Sequence, residues 1–410
     1  MDRSVILQYI NKHFSMYFEI DYTFQDVQFP YSGKLFFTLK KAKPITITWK
    51  QWEDENLPVL FDATTEREWF EIIDNQIVFH YDIPSMIFYF LTGWQEEYCP
   101  IKDHYGRFPY TESIQKDHHF VTQPVVNYYF FILQKGLETI LQKPISLKQS
   151  FCFNMTHDID LVNSGWKSSI RKNLQKGHFI QAVTTFIKKM TKRLDPYQNL
   201  EEIIQIEKEL GIQSTFYFLP KNDNQKGIQN ADYDIKNPYI QQVIQQLQND
   251  SNFNIGLHTP SLKSVNPEII NECIQKIDSD NIISNRFHYL ALQQRDLVHF
   301  ENTSIETDSS LGFAEHIGFR HSIAWPFHPF NFEKNRAMKI MEQPLVIMDV
   351  TLTNPKYMHL SEEESLKSIE ELINKTRKVN GTLTLLWHND YIAHSPKYFK
   401  SILNMIPKNK

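Results

Sequence analysis

The sequence predicts an α/β fold built on parallel strands, preceded by a smaller α+β region at the N-terminus. From Phe151 onward, short apolar runs of strand length alternate with amphipathic helical segments over roughly 250 residues, which is typical of a parallel sheet covered by helices. Residues 1–145 lack this alternation and mix strand-like runs with a few helices. We therefore expect two domains, 1–145 and 146–410, in which the parallel strands form either an open sheet or a barrel.

The N-terminal region is predicted to be mixed because its apolar residues follow both the helical and the strand period. A helix is indicated over residues 124–141, where apolar side chains recur at helical spacing. We interpret two groups of charged residues as members of structural ion pairs within this domain or between domains. They are the adjacent acids Glu96 and Glu97, and Asp103 with Arg107 in a turn-rich loop. Strands are indicated by three short runs, at residues 34–39, 45–49 and 76–80.

The elements of the second half are marked by local signals. Asn237 and Asn266, each followed by proline, begin helices, because asparagine is a favoured N-cap and proline suits the first helical position. Gly211 ends a helix over residues 199–210, and Ser361 begins a capping box. Apolar runs predict strands at residues 151–160, 213–219, 253–258, 285–290 and 382–387.

Two aspartates one residue apart end the first of these strands. Side chains in a strand alternate between faces, so Asp158 and Asp160 point to one side while His157 and Ile159 point to the other. Two carboxylates this close repel each other, and such a pair persists when a cation is bound between them or when one acid holds a proton for use. The alternative is that these acids cap or turn the chain after the strand.

Polar residues recur at the ends of several predicted strands. In a parallel α/β fold the carboxyl ends of the strands meet at one edge, where functional sites gather. We therefore expect a single site built from the following residues: Asp158, Asp160, His258, Arg286, His288 and His388.

Composition narrows the function further. The formal net charge of −5 provides no basic surface for nucleic acid. No stretch approaches the roughly 18 uninterrupted apolar residues of a membrane-spanning helix, and the N-terminus has no recognisable secretion signal, so we expect a cytoplasmic protein. Cys152 and Cys273 lie in apolar sequence and are predicted to be buried thiols.

The strand-end residues indicate a metal site. Carboxylate and imidazole ligands without cysteine suit a divalent ion such as zinc, cobalt, nickel, iron or manganese, with zinc favoured. A catalytic metal site keeps a position for water and lowers the pKa of that water towards neutrality. A carboxylate beside the metal can accept the proton, an imidazole can protonate a leaving group, and an arginine can orient the carboxylate. This set of carboxylate, imidazole and guanidinium side chains fits metal-assisted hydrolysis of an amide or ester.

Four motifs, in this order, carry a resemblance to a known family: Thr156-His-Asp-Ile-Asp160, Gly256-Leu-His258, Arg286-Phe-His-Tyr289 and Leu386-Trp-His388. They resemble the polysaccharide deacetylase homology domain of the carbohydrate esterase type. The stretches 90–97, 103–108 and 308–320 resemble a bacterial branch of that family with an N-terminal domain of unknown function. The resemblance implies a distorted parallel (β/α) barrel with an outer layer of helices for residues 146–410.

The resemblance also implies a role for each matched residue. Asp158 matches the family's catalytic base, Arg286 the arginine that orients this base, and His388 the histidine that donates a proton. His258 matches the first metal-binding histidine. Asp349 lies near the position of the acid that orients the proton-donating histidine.

The chain departs from the family pattern at two metal positions. The metal-binding aspartate of the family falls at Ile159, so we assign that role to Asp160 from the direction of its side chain. The second metal histidine falls at Leu262, and His288, where the family has proline, is the candidate replacement. The expected metal ligands are therefore Asp160, His258 and His288.

The expected function is metal-dependent removal of N- or O-acyl groups, acetyl above all, from sugars of a bacterial surface polysaccharide or its lipid-linked or nucleotide-linked precursor. Arg320 and Trp387 are candidates for sugar binding, with bracing of the barrel rim and core packing as their alternatives. Two other functions stay open. Leu262 in place of histidine is compatible with an inactive carbohydrate-binding or assembly protein. The Asp158 and Asp160 motif also fits a haloacid-dehalogenase-like phosphatase, which gives the histidines no role.

Overall fold

An N-terminal mixed region and a C-terminal α/β region share one hydrophobic core. Apolar side chains of both regions, among them Phe14, Phe88 and Trp325, belong to the same buried cluster, and the rings of Tyr17 and Trp325 lie 4.6 Å apart. The division at residue 145 stays a prediction. The structure is a computed structural model and describes all residues except Asp26, Ile45, Thr65, Lys176, 193–194, Lys226, 262–264, Asp280 and 407–410.

The N-terminal region combines helices with two antiparallel strand pairs. Its helices are α1 (Arg3–Tyr17), α2 (Lys34–Thr38), α3 (Ile83–Leu91), α4 (Trp94–Tyr98), α5 (Ile114–Asp117) and α6 (Val125–Leu141). Its strand pairs are β1 (Ile47–Trp52) with β2 (Glu55–Leu60), and β3 (Phe70–Ile73) with β4 (Gln76–Phe79). Helices α1 and α6 pack against α3, all of whose residues are buried.

One predicted strand of this region is wrong. Residues 34–39 contain the helix α2, in which the adjacent residues Phe36 and Phe37 are both buried. Neighbouring side chains of a strand point to opposite faces, so two adjacent buried phenylalanines fit a short helix on a core better than a half-buried strand. The strand predicted at 76–80 and the helix predicted at 124–141 are confirmed, and the run at 45–49 overlaps β1, although Ile45 lies outside the described residues.

The C-terminal region is organised around a parallel sheet. Its strands are β5 (Cys152–Ile159), β6 (Ser214–Phe218), β7 (Asn224–Gln225), β8 (Ile228–Gln229), β9 (Phe253–Thr259), β10 (Ser284–Phe287), β11 (Thr307–Asp308), β12 (Phe330–Asn331), β13 (Arg336–Ala337), β14 (Met341–Glu342), β15 (Leu345–Met348) and β16 (Thr382–Leu386). Eight of them form one sheet in the order β14-β11-β10-β9-β6-β5-β16-β15, and each neighbouring pair is parallel. The sheet curls into a half-barrel, in keeping with a (β/α) barrel fold.

Helices connect these strands, and their predicted caps are present. They are α7 (Gly165–Gln175), α8 (Phe179–Lys192), α9 (Leu200–Leu210), α10 (Pro238–Gln248), α11 (Pro267–Ile277), α12 (Asp349–Thr353), α13 (Glu362–Lys378), α14 (Asn389–His394) and α15 (Pro396–Met405). The side chains of Asn237, Asn266 and Ser361 accept hydrogen bonds from backbone N–H groups of the helices they begin. Gly211 ends α9 with φ of +69°. Across the described residues, none of the helices has both the length and the apolar character needed to cross a membrane.

The two predicted buried thiols differ. Cys273 is buried on α11, as predicted, whereas Cys152 is exposed. Cys152 is the first residue of β5, at the amino end of the sheet, where the strand has not yet entered the core. The apolar run therefore predicted the strand correctly but not the exposure of its first residue.

Candidate active site

The carboxyl ends of β5, β9, β10 and β16 surround a cleft of about 320 Å³. Side chains distant in sequence meet there because parallel strands all end at the same edge of the sheet. The structure brings five of the six predicted strand-end residues to the lining of this cleft, namely Asp158, Asp160, His258, His288 and His388. The sixth, Arg286, lies fully buried beneath the cleft and contacts Asp158.

The end of β5 presents two carboxylates on one side. Oδ2 of Asp158 lies 3.5 Å and Oδ1 of Asp160 lies 3.3 Å from Nε2 of His258. His157 points to the other side, where its ring nitrogens lie 2.8 Å from Oε1 of Glu207 and 2.7 Å from the carbonyl oxygen of Trp387. Strand alternation therefore separates His157, a hydrogen-bonded core residue, from the aspartates that face the cleft.

Asp160, His258 and His288 form a compact group of metal-ligand type. One ligand atom from each lies within 4.8 Å of the others. Nδ1–H of His258 donates to the Arg286 carbonyl at 2.9 Å, and Nδ1 of His288 lies 3.3 Å from Oδ1 of Asn230. A carbonyl can only accept, so the proton of the neutral His258 ring is on Nδ1, and Nε2 faces the carboxylates. Metal-binding histidines are typically oriented in this way by a second hydrogen bond.

The residues present fit a divalent cation. Nε2 of His258 and Oδ1 of Asp160 are buried and have no hydrogen-bond partner among the described residues. Their separation is 3.3 Å, and two ligands of a tetrahedral zinc ion, at about 2.0–2.1 Å from it, stand roughly 3.4 Å apart. A cation held by both atoms would satisfy two groups that are otherwise costly to bury. Leu262, where the family has its second histidine, lies outside the described residues.

The electrostatics of the cleft also favour a positive charge. Burial alone would raise the pKa of Asp160, but the imidazoles of His288 and His258 hold it well below its ordinary value. Burial lowers the pKa of His258, and the carboxylates of Asp158 and Asp160 more than offset that effect, so the pKa is raised. Negative charge at this strand edge therefore attracts a proton or a metal ion to the same place.

Arg286 fixes the orientation of Asp158. Its Nη1 donates to Oδ1 of Asp158 at 3.0 Å and to Oγ1 of Thr156 at 2.7 Å. The carbonyl and hydroxyl of Ser309 accept from Nε and Nη2 at 2.7 and 2.9 Å, and the guanidinium lies 4.6 Å from the ring centre of Tyr217. One oxygen of Asp158 is thereby engaged, while the other faces His258.

Asp349 orients His388 beside the metal-ligand group. Nδ1–H of His388 donates to Oδ1 of Asp349 at 2.8 Å, and the backbone N–H of His388 donates to Oδ2 at 2.6 Å. Nε2 lies 3.7 Å from Oδ2 of Asp160. Burial lowers the pKa of His388, but the charge of Asp349 outweighs burial and raises the pKa well above its ordinary value. The ring is therefore a proton donor aimed into the cleft.

Arg320 and Trp387, the two predicted sugar-binding residues, do not line this cleft. Arg320 is buried and donates to both carboxylate oxygens of Glu96, with Nε at 2.8 Å from Oε1. Trp387 is buried against the rings of Tyr398 and Phe399. Their surroundings match the alternatives of bracing and core packing.

Sequence reasoning missed several residues in and beside the cleft. Asn230, which contacts His288, directly follows a short hairpin and gives no local signal. Tyrosine side chains at 289, 357 and 391 also line the cleft, as do His104, Tyr105 and Arg107 of the N-terminal region. The turn-rich loop containing the last three was recognisable in the sequence, but nothing local indicated that it would reach the strand ends.

Comparisons with known proteins give a family match only for the N-terminal region. Residues 5–142 match DUF7033, a family of unknown function. No curated protein matches the chain.

Two solved structures, both provisionally described as polysaccharide deacetylases, resemble the chain distantly. One, from Mycobacterium smegmatis, is 9% identical with a TM-score of 0.38, covering 61% of this chain and 82% of its own. The other, from Bordetella bronchiseptica and described as involved in O-antigen biosynthesis, is 11% identical with a TM-score of 0.31, covering 63% and 84%. The chemistry assigned below therefore rests on the geometry of the site.

Proposed function

We propose that the protein is a metal-dependent hydrolase that removes an acyl group, acetyl first, from an N- or O-acylated sugar. The observation that carries the proposal is the group of Asp160, His258 and His288, with two buried ligand atoms that lack hydrogen-bond partners among the described residues. Two imidazoles and one carboxylate form a donor set typical of catalytic zinc and related ions. A candidate base, Asp158, lies 3.5 Å from Nε2 of His258, and a candidate acid, His388, has its Nε2 3.7 Å from Oδ2 of Asp160.

Asp158 is the proposed general base. Arg286 holds its Oδ1, so Oδ2 is free to accept the proton of a water molecule that attacks the acyl carbon. A divalent ion bound by Asp160, His258 and His288 would lower the pKa of that water and polarise the acyl carbonyl. The buried guanidinium keeps the carboxylate in one orientation throughout the proton transfer.

His388 is the proposed general acid. As the bond between the acyl carbon and the sugar nitrogen or oxygen breaks, Nε2–H donates its proton to the leaving atom. The hydrogen bond from Nδ1–H to Asp349 stabilises the charged imidazole before the transfer. The products are the free carboxylate and the deacylated sugar, and the protons gained by Asp158 and lost by His388 balance.

The assignment of a sugar as substrate is supported by the motif resemblance and by the lining of the cleft. Tyr289, Tyr357 and Tyr391 line the cleft, and tyrosine offers both an apolar ring face and a hydroxyl to a sugar. We propose a unit of a bacterial surface polysaccharide or of its lipid-linked or nucleotide-linked precursor. A phosphatase of the haloacid-dehalogenase type remains the weaker candidate because it would give no role to the histidines in the cleft.

The direct test measures acetate released from N-acetylglucosamine oligomers by protein loaded with zinc, cobalt or nickel. Asp158→Asn is expected to lower kcat by about 10²–10⁴-fold, the usual contribution of a general base. Asp234→Asn, at an exposed aspartate outside the cleft, is the matched control and should retain activity. Full activity of Asp158→Asn would rule out the mechanism, and magnesium-dependent phosphate release lost in that variant would favour the phosphatase.

Elemental analysis separates the hydrolase from an inactive carbohydrate-binding protein. We expect about one transition-metal ion per chain, lost in His258→Ala and in His288→Ala. Protein that purifies without metal and takes up none on dialysis against zinc or cobalt would instead support the inactive protein.

A further inference from the structure

A loop of the N-terminal region, residues 103–107, reaches the cleft. His104, Tyr105 and Arg107 line it beside the histidines of the sheet edge. Oδ1 of Asp103 accepts the backbone N–H groups of Tyr105 and Arg107, both at 2.9 Å, and Oδ2 accepts Nε of Arg107 at 2.7 Å. One carboxylate therefore fixes both the turn and the direction of the arginine side chain.

The turn that presents His288 has an unusual backbone. β10 ends at Phe287. His288 follows it, and the two residues after His288, Tyr289 and Leu290, have φ of +59° and +52°. Residues with a Cβ atom rarely adopt this left-handed conformation, and two in succession persist only where the surroundings hold them. The turn matters because it directs Nε2 of His288 to 3.7 Å from Oδ2 of Asp160.

The 103–107 loop supplies support for this turn. Nη1 of Arg107 donates to the carbonyl oxygen of Tyr289 at 2.8 Å, and the ring of Tyr105 stacks on the ring of Tyr289 at 4.9 Å and 17°. The arginine is 6% exposed, so water does not compete strongly for these contacts.

We propose that Arg107 is a positioning residue for the metal site, which acts by holding the left-handed turn that presents His288. The inference rests on the proposed function, in which His288 is a metal ligand. Asp160, His258 and His288 all belong to the C-terminal region, yet the geometry of one depends on an arginine of the N-terminal region. This gives residues 1–145 a role in the site, beyond that of a separately folded neighbour.

A buried ion pair between the two regions offers a matched control. Glu96 and Arg320 join α4 to the segment after β11, and neither residue lines the cleft. Glu96→Gln weakens the attachment of the N-terminal region without touching the turn at 288–290. If Arg107→Ala weakens metal binding more than Glu96→Gln does, weaker attachment of the N-terminal region does not by itself explain the difference.

The test titrates Co²⁺ into the metal-free full-length chain and follows binding by calorimetry and visible absorption. We expect Arg107→Ala to raise the Kd for Co²⁺ by about 10–100-fold, the usual effect of losing an outer partner of a metal ligand. Its spectrum should shift towards that of His288→Ala. Arg107→Lys should recover part of the affinity, since lysine can donate to one carbonyl but lacks the fork of arginine. Glu96→Gln should bind as the wild type does.

The outcomes distinguish the two proposals. An unchanged Kd and spectrum in Arg107→Ala, or an equal loss in Glu96→Gln, would overturn the role of Arg107 while leaving the proposed function in place. Wild-type protein that binds no Co²⁺ would overturn both. If Arg107→Ala does not fold, Asp103→Asn becomes the deciding variant because it releases the arginine from the carboxylate that aims it, and a wild-type Kd there would overturn the inference.

Discussion

Asp349→Asn is the most informative single change at this site because both carboxylate oxygens of Asp349 accept hydrogen bonds. Oδ1 accepts from the backbone N–H of Val350 at 2.6 Å and from Nδ1–H of His388 at 2.8 Å, while Oδ2 accepts from the backbone N–H of His388 at 2.6 Å. An asparagine must place its NH₂ group at one of these positions. A donor then faces a donor in a fully buried site, and the charge that stabilises the His388 imidazolium is lost.

The expected loss follows from the role of His388. General acid catalysis contributes about 10²–10⁴ in rate, which corresponds to about 3–5 kcal/mol of activation free energy. Asp349→Asn should therefore lower kcat for an N-acetylated sugar by about 10²-fold or more. The KM should change little, because Asp349 is fully buried and does not line the cleft. Metal content should not change, since Asp349 is not among the candidate ligands.

The assay compares an amide substrate with 4-nitrophenyl acetate, whose leaving group departs as a stable anion and needs no proton. The variant should lose activity on the N-acetylated sugar and retain most of it on the nitrophenyl ester, with zinc content measured in parallel. An unchanged kcat on the amide would refute the proton-donor role of His388. An equal loss on both substrates at full metal content would show that Asp349 acts on a step other than protonation of the leaving group.

Three further predictions concern the support of the site and the stability of the fold. Arg286→Met should lower the free energy of unfolding by about 3–5 kcal/mol in urea, because it leaves Asp158 buried without its charged partner; a loss under about 1 kcal/mol would contradict a buried ion pair. In Gly256→Ala the new Cβ would lie 2.4 Å from ring atoms of Tyr217. We expect the free energy of unfolding, measured by thermal unfolding, to fall by about 1–3 kcal/mol, and kcat to fall because the ring is pushed against Arg286. Wild-type values of both would show that the ring moves aside at no cost. Burial raises the pKa of Asp82 from 3.8 to about 6, so between these two pH values the folded state holds a proton that the unfolded state has lost. The free energy of unfolding should therefore fall as pH rises from about 4 to 6, by up to about 3 kcal/mol. Urea unfolding of Asp82→Asn should lack this pH dependence, and an equal pH dependence in both proteins would show that another group causes it.

Much of the C-terminal fold could be read from local signals. The caps Asn237, Asn266 and Ser361 and the αL residue Gly211 each act within one turn of helix, and each is found where it was predicted. The short run at 34–39 could not be read in this way, because a few apolar residues fit either a helix or a strand. Contacts with the core made it helical.

The candidate site was partly predictable for the same reason. Strand alternation placed Asp158 and Asp160 together, and parallel strand ends placed His258, His288 and His388 with them. Arg320 and Trp387 could not be placed, because their neighbours come from distant sequence. The partner of Arg320 is Glu96, 224 residues away, and nothing near either residue specifies that pairing.

The sequence by itself determined which residues stand at the strand ends and which face they share, since side-chain alternation and helix capping depend on only a few neighbouring residues. The tertiary structure decided what surrounds them. The hydrogen bond of Arg107 to Tyr289 spans 182 residues, and it exists only because the N-terminal region packs on the same core as the sheet. Such pairings depend on how whole elements pack, so only the folded chain shows that the loop at 103–107 reaches the histidines.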